Sequence, residues 1–252
     1  MIFLRACLFN LYFYSLTAVL GVGGIGVRLF APARAFTYAR FWVRLVLAGL
    51  RAICGIGVTV SGRENLPPSG AVLLASQHQS AFDTLVWMTL VDAPSYVVKR
   101  ELTWIPLFGP LLRPAGMIPV NRAAGAAALR ALLAATQAAR DAGRQIVIFP
   151  EGTRVAPGAR VKLQPGIAAI ATRLALPVIP VATDSGVFWA RRAFMKYPGT
   201  IHIAIGPPIP AGTQKAPLLA AIEGWWRHAE AMGLVVDKSV GEIAAPRPQV
   251  TG

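Results

Sequence analysis

The chain has three histidines, and one of them stands where an imidazole can work as a base. His78 lies in Ala75-Ser76-Gln77-His78-Gln79-Ser80-Ala81-Phe82-Asp83, after an apolar run with strand character and before one with helical character. The carboxyl end of a strand is where open α/β sheets gather ligands and reacting groups. Asp83, at the start of the helical run, has two readings. As the last residue of Ser80-x-x-Asp83 it resembles a capping box ahead of Thr84–Val91. With His78 folded back from the preceding turn, its carboxylate fixes the imidazole tautomer and stabilises the imidazolium. Such a pair needs no nucleophilic serine or cysteine, because it deprotonates a substrate hydroxyl. The other histidines have plainer settings: His202 falls on the polar side of an alternating strand, and His228 on the polar side of a helix.

Two further clusters carry groups suited to phosphate. Pro150-Glu151-Gly152-Thr153-Arg154 follows the apolar run Ile146–Phe149 and offers a guanidinium, a hydroxyl and backbone amides at the same sheet edge as His78. Gly116-Met117-Ile118-Pro119-Val120-Asn121-Arg122 likewise ends a strand with an arginine. Either could merely punctuate a strand and its loop. Three strand ends supplying His78 with Asp83, Arg122, and Glu151 with Arg154 point instead to one site.

Other chemistries lose their signatures. Gly21-Val22-Gly23-Gly24-Ile25-Gly26 matches a dinucleotide fingerprint by letter, but it ends an apolar helix and the next acid is Glu64, so the required βαβ setting is missing. No phosphate-binding P-loop, serine-hydrolase elbow or zinc-protease string occurs. Cys7 and Cys54, the two cysteines, lie in apolar stretches and build neither a disulfide framework nor a zinc site. No metal and no cofactor are expected.

Seven short apolar runs flanked by Gly, Pro or polar residues read as buried strands: Val58–Ser61, Ala71–Ser76, Tyr96–Lys99, Met117–Val120, Ile146–Phe149, Val178–Ala182 and Ile201–Ile205. Between them Thr84–Val91, Ala123–Ala142, Gly166–Leu174 and Pro217–Met232 have helical length and composition. The alternation predicts an α/β fold, a single sheet of about seven strands flanked by helices.

Ahead of that pattern lies a different unit. Residues 1–60 hold six arginines and no acid, and Ala6–Val27 is an uncharged run of 22 residues; as a helix it reaches about 33 Å, enough for a bilayer core of roughly 30 Å. A signal peptide is the rival reading, though the apolar run is long for one and a convincing A-x-A cleavage site does not follow it promptly. In Ala33–Val58, a helix would bring Arg40, Arg44 and Arg51 into one basic stripe, as in a helix lying at an interface. The alternative is an amphipathic helix packed on its own domain. The organisation expected is a membrane-anchoring helical hairpin over 1–58, an α/β domain over 59–239 and a disordered tail over 240–252.

Composition agrees. The chain of 252 residues is 55% apolar and 14% charged, against roughly 45–50% and about 25% for a soluble domain. The net charge of +14 suits an anionic partner, and a mean hydropathy of +0.54 favours an anionic membrane surface over nucleic acid.

In order and spacing, His78-x-x-x-x-Asp83, Gly116–Arg122, Phe149-Pro-Glu-Gly-Thr-Arg154 and Val178-Ile-Pro-Val-Ala182 resemble the four blocks of the glycerolipid acyltransferase family, the 1-acylglycerol-3-phosphate acyltransferases. Gly62–Pro67 and Lys99–Gly109 are similar to that family too, so the resemblance covers roughly residues 56–210. It implies transfer of a fatty acyl group from acyl-CoA or acyl-carrier-protein to a lysophospholipid hydroxyl, with 1-acyl-glycerol-3-phosphate as acceptor and phosphatidic acid as product. His78 would be the base and Asp83 its partner, while Arg122, Glu151, Gly152, Thr153 and Arg154 would hold the glycerol phosphate, with Lys99 a further candidate. The enzyme would sit at the inner, cytoplasmic membrane with its active site on the cytoplasmic side. Pro119 and Asn121 depart from the second block, which keeps another acceptor open: a lyso-aminolipid, or acyl exchange between phospholipids. Lys162-Leu-Gln-Pro-Gly166 departs as well and leaves Lys162 without a role. A non-catalytic anionic-lipid-binding protein would need neither His78 nor Asp83.

Overall fold

The computed structural model describes residues 1–121 and 124–236. Arg122 and the tail 240–252 lie outside the described residues. Seven strands form one sheet: β1 (Ile56–Ser61), β2 (Val72–Ser76), β3 (Pro94–Lys99), β4 (Ile118–Val120), β5 (Gln145–Ile148), β6 (Val178–Thr183) and β7 (Gly199–Ile205), in the order β1-β7-β6-β2-β5-β3-β4. Every strand expected from the apolar runs is present, within a few residues at its ends. The five strands β6, β2, β5, β3 and β4 are mutually parallel. β7 runs antiparallel to β6, and β1 pairs parallel with β7, so these two run the other way.

The helices are α1 (Ile2–Phe30), α2 (Ala35–Cys54), α3 (Asp83–Leu90), α4 (Gly109–Leu112), α5 (Gly125–Asp141), α6 (Gly166–Leu174), α7 (Ser185–Phe188) and α8 (Lys215–Ala231). Alternation along the strands divides the core. Val72, Leu74, Val147, Ile179 and Val181 face α2 and α3, whereas Leu73, Ala75, Ile146, Ile148 and Val178 face α5, α6 and α8. Both faces of the sheet are therefore covered, as a largely parallel sheet requires.

The N-terminal helices pack antiparallel. The Tyr12 hydroxyl donates to the Leu45 carbonyl at 2.7 Å, Trp42 Nε1 to Thr17 Oγ1 at 3.1 Å, and the Tyr38 hydroxyl to the Leu20 carbonyl at 2.7 Å. The glycines that mimic a nucleotide fingerprint are packing surface: Gly23 lies against Tyr38, and Gly21 and Gly24 lie against Leu107 and Leu111. α2 buries Val43, Val46, Leu50 and Cys54 at helical spacing against the α/β body, so it takes the domain-packing alternative of the two readings. The basic stripe is broken accordingly. Arg44 and Arg51 are exposed, but Arg40 turns inward, and its Nη2 donates to the carbonyls of Val91 at 2.9 Å and Asp92 at 2.5 Å. Those carbonyls just past α3 are otherwise short of donors, and a guanidinium on an apolar stem reaches them. α1 keeps a long row of exposed apolar side chains, among them Phe3, Leu4, Leu8, Leu11 and Val22, and by length and composition it could cross a membrane.

Gly49 is buried against the Tyr12 ring with no room for a side chain. Gly49→Val is expected to pry α1 from α2, costing about 1–3 kcal/mol by overpacking, or roughly 2–12 °C in melting temperature. Differential scanning fluorimetry of the full chain in detergent checks this; an unchanged melting temperature would show that the hairpin contact is not made.

Candidate active site

β2 and β5 are parallel neighbours with Ala75 opposite Ile148, so the segments that follow them emerge side by side at the carboxyl edge. The two segments are stitched together through the backbone of one residue. His78 N–H donates to Glu151 Oε2 at 2.5 Å, and the His78 carbonyl accepts from Val155 N–H at 2.7 Å. The imidazole stacks on Phe149, with centroids 4.1 Å apart and planes 20° apart. Its position is thus set from three directions before any partner of the ring nitrogens is counted.

Asp83, 2% exposed, is the first residue of α3. Its Oδ2 accepts from the N–H groups of Gln79 and Ser80, each at 2.7 Å, and lies 3.3 Å from His78 Nδ1. The reach back to the Ser80 amide is half of a capping box; the other half is not made, because the helix begins at Asp83 with Phe82 at its N-cap and the Ser80 hydroxyl accepts from Phe82 N–H instead. The contact to the imidazole is what the pairing reading expects, and the same oxygen serves it. With Nδ1–H donating to the carboxylate, the Nε2 lone pair is left for a substrate proton.

Asp83 Oδ1 is occupied by a residue that the sequence reading did not single out. Ser185 Oγ donates to it at 2.5 Å, and Ser185 is fully buried in the turn after β6. That turn is laced to the His78 loop at two more points: Thr183 N–H donates to Gln77 Oε1 at 2.9 Å and Gly186 N–H to Gln79 Oε1 at 3.1 Å. Beside Ser185, the buried Asp184 accepts from His202 N–H and lies 2.7 Å from His202 Nδ1. His202 is thus half-exposed and paired to a buried carboxylate, rather than simply solvated. The signal was there to be read. Thr183-Asp184-Ser185 is a polar run at the carboxyl end of an apolar strand, the same setting that singles out His78.

The remaining candidates divide. Glu151 is buried, and its carboxyl faces the His78 peptide rather than solvent. Burial pushes it up to about 8, the His78 N–H holding it down somewhat and the Asp83 charge raising it further. Gly152, at φ 74°, takes the left-handed conformation in which the chain turns between Glu151 and Thr153. Thr153 is exposed and Arg154 half-buried, with Arg154 Nε buried and without a hydrogen-bond partner. Burial lowers the Arg154 guanidinium from its ordinary value; Asp83 opposes the shift, while Arg191 and Arg192 add to it. Lys99 is exposed at the end of β3, on the same edge but across β5 from β2. Among the described residues no cluster of side chains could hold a metal ion. His228, exposed on α8, lies tilted against Trp225 with centroids 5.5 Å apart.

The profile of the Acyltransferase family matches residues 57–184, just over half of the chain. A 1-acyl-sn-glycerol-3-phosphate acyltransferase of Pseudomonas aeruginosa is 33% identical over 210 residues, covering 83% of this chain and 79% of that one. The alpha 1-acyl-sn-glycerol-3-phosphate acyltransferase of Homo sapiens is 28% identical over 170 residues, covering 67% of this chain and 60% of that one. The crystal structure of the 1-acyl-sn-glycerophosphate (LPA) acyltransferase from Thermotoga maritima superposes with a TM-score of 0.75 at 24% identity, over 92% of this chain and 98% of that one, a likeness of fold.

Two expectations arise from these contacts. Between the ordinary carboxyl value of 4.5 and about 8, the folded chain holds a proton on Glu151 that the unfolded chain releases. Stability therefore falls as pH rises through that window. Glu151→Gln keeps an acceptor for His78 N–H and removes the titration, so its melting temperature is expected to decline less than the parent's between pH 5 and pH 9; parallel profiles would free Glu151 of the effect. Ser185→Ala removes a hydrogen bond to a charged group, worth roughly 1.5–3 kcal/mol. Turnover is expected to fall about 10-fold or more with both Michaelis constants little changed. In an Asp83→Asn background the same change should cost far less, since the two side chains act as a unit. Equal penalties in both backgrounds would uncouple Ser185 from Asp83.

Proposed function

The chain belongs to the acyltransferase family, and from that premise we propose that it transfers a fatty acyl group from a thioester to the free hydroxyl of a lysophospholipid, 1-acyl-glycerol-3-phosphate, giving phosphatidic acid. The observation that carries this reading is the buried Asp83 carboxylate beside His78 Nδ1, with the Arg154 guanidinium at the same sheet edge.

The chemistry is a single displacement. His78 Nε2 takes the proton of the acceptor hydroxyl as its oxygen bonds to the thioester carbonyl carbon. The carbon–sulfur bond then breaks, and the imidazolium returns the proton to the departing thiolate. Asp83 holds the imidazole through Nδ1 and offsets the imidazolium charge while it lasts. Arg154, with Lys99 and Arg122, binds the glycerol phosphate, and Gly152 and Thr153 add a backbone amide and a hydroxyl. Glu151 acts differently from those five. A carboxyl near 8 is mostly neutral at pH 7, so Glu151 can hold the His78 backbone without repelling an anionic substrate from below.

The donor is acyl-CoA or acyl-carrier-protein, and the protein works at an anionic membrane surface. α2 is packed on the α/β body along its length and α1 is packed along α2, which favours a hairpin lying in one leaflet with the exposed apolar row of α1 in lipid. Arginines around that hairpin add roughly 1 kcal/mol each near anionic headgroups. Soluble thioester donors place the active site on the cytoplasmic side.

Purified full-length protein, a labelled acyl thioester and a panel of lysolipids test the reading. Phosphatidic acid from 1-acyl-glycerol-3-phosphate is the expected product; a preference for a lyso-aminolipid or for acyl exchange would move the acceptor assignment, and no product at all would refute it. His78→Ala is expected to lower turnover about 10²–10⁴-fold while the protein stays folded. A rate within tenfold of the parent would remove His78 from the mechanism.

A further inference from the structure

The loop joining α7 to β7 carries two exposed arginines, Arg191 and Arg192. Arg191 Nη1 donates to the Arg154 carbonyl at 3.2 Å, so this loop is bonded directly to the segment that follows Glu151. Among the described residues neither Arg191 nor Arg192 is in an ion pair. Arg192 is held in the left-handed conformation at φ 57°, which a bulky side chain adopts only when its surroundings impose it.

The surroundings here do so. On the far side of the loop, buried Lys196 donates from Nζ to Asn10 Oδ1 at 2.6 Å and to the Phe194 carbonyl at 2.9 Å, and Phe194 packs against Phe3 with centroids 5.8 Å apart. The loop is thus pinned to α1 at one end and to Arg154 at the other, and the arginines between are presented rather than trailing. The carboxylate that bears on Arg154 is Asp83, whose oxygens are already engaged by His78, Gln79, Ser80 and Ser185. Arg191 and Arg192 thus both bear on the Arg154 charge, Asp83 alone opposing them, and Arg154 Nε is buried without a hydrogen-bond partner.

We propose that Arg191 and Arg192 complete, with Arg154, a phosphate-binding cluster at the entrance to the His78 site. A phosphate monoester offers three oxygens and up to two charges, which matches planar donors arriving from two loops better than a carboxylate does. The phosphate is that of a substrate, either the acceptor's monoester or the phosphates of a nucleotide-bearing donor. The proposal rests on the acyl-transfer reading for its substrates, but not for its ligand chemistry.

The test is the full-length Arg191→Ala/Arg192→Ala double variant in neutral detergent micelles. Michaelis constants are measured for 1-acyl-glycerol-3-phosphate against monoacylglycerol, and for acyl-CoA against S-acyl-pantetheine, which lacks phosphate. The expected result is a rise of about 10- to 150-fold for one phosphate-bearing substrate, as for the loss of a charge-assisted contact, with its phosphate-free counterpart little affected. Which pair shows the rise assigns the source. Inorganic pyrophosphate should also raise the melting temperature of the parent more than that of the variant, a readout that stands even if no acyl transfer is detected. Equal penalties within each pair, equal protection of parent and variant by pyrophosphate, or a defect confined to anionic bilayers and absent in neutral micelles would overturn the cluster; the last would assign the arginines to lipid headgroups.

Discussion

The site is organised around the Asp83 carboxylate. A buried charge without partners is untenable in a protein interior. Asp83 is held by four donors: Gln79 N–H, Ser80 N–H, Ser185 Oγ–H and the imidazole of His78. These come from two places far apart in the chain, the turn after β2 and the turn after β6. Satisfying one carboxylate therefore fixes the entry to α3, the β6–α7 turn and the face of His78 together. Gln77 and Gln79, also buried, close the same two turns through their side-chain oxygens.

The sheet makes that convergence possible. β2 sits between β6 and β5, so the segments after all three strands emerge on one edge, with the His78 loop in the middle. From one side β6 supplies Ser185; from the other β5 supplies Glu151, whose carboxyl holds the backbone of His78, and Phe149, whose ring supports the imidazole. Burial, with Asp83 nearby, pushes Glu151 up to about 8 against the pull of its one hydrogen bond from His78 N–H. Near neutrality Glu151 therefore holds the His78 backbone largely without a charge of its own.

The N-terminal hairpin is joined to this apparatus rather than appended to it. α2 contributes to the same core cluster as α3, and Phe9 of α1 meets Trp189 edge to face with centroids 5.6 Å apart, one element from Ser185. The apolar row on the outer side of α1 is consequently held at a set orientation relative to the His78 edge. A lipid substrate entering from that side would meet a surface whose apolar and basic parts are in fixed register with the reacting groups.

Much of this was legible in the chain itself. The seven strands, the long helices and the placing of His78, Glu151 and Arg154 just beyond strand ends follow from apolar periodicity and turn residues, which act over a few residues at a time. His78 and the acids could be found because histidines and carboxylates are few in this sequence, whereas Arg154 stood out among many arginines only by its place beyond a strand end. What local pattern could not specify is which strand ends become neighbours. Ser185 and Asp83 are 102 positions apart, and their hydrogen bond exists because β6 lies beside β2. Arg40 lies on the same helical stripe as Arg44 and Arg51, yet turns inward because carbonyls beyond α3 need a donor there. Sequence determined the elements and the chemistry each end carries; the order of strands, and with it the partners of every buried charge, was decided only when the sheet assembled, because hydrogen bonds between distant turns depend on register across strands and not on spacing along the chain.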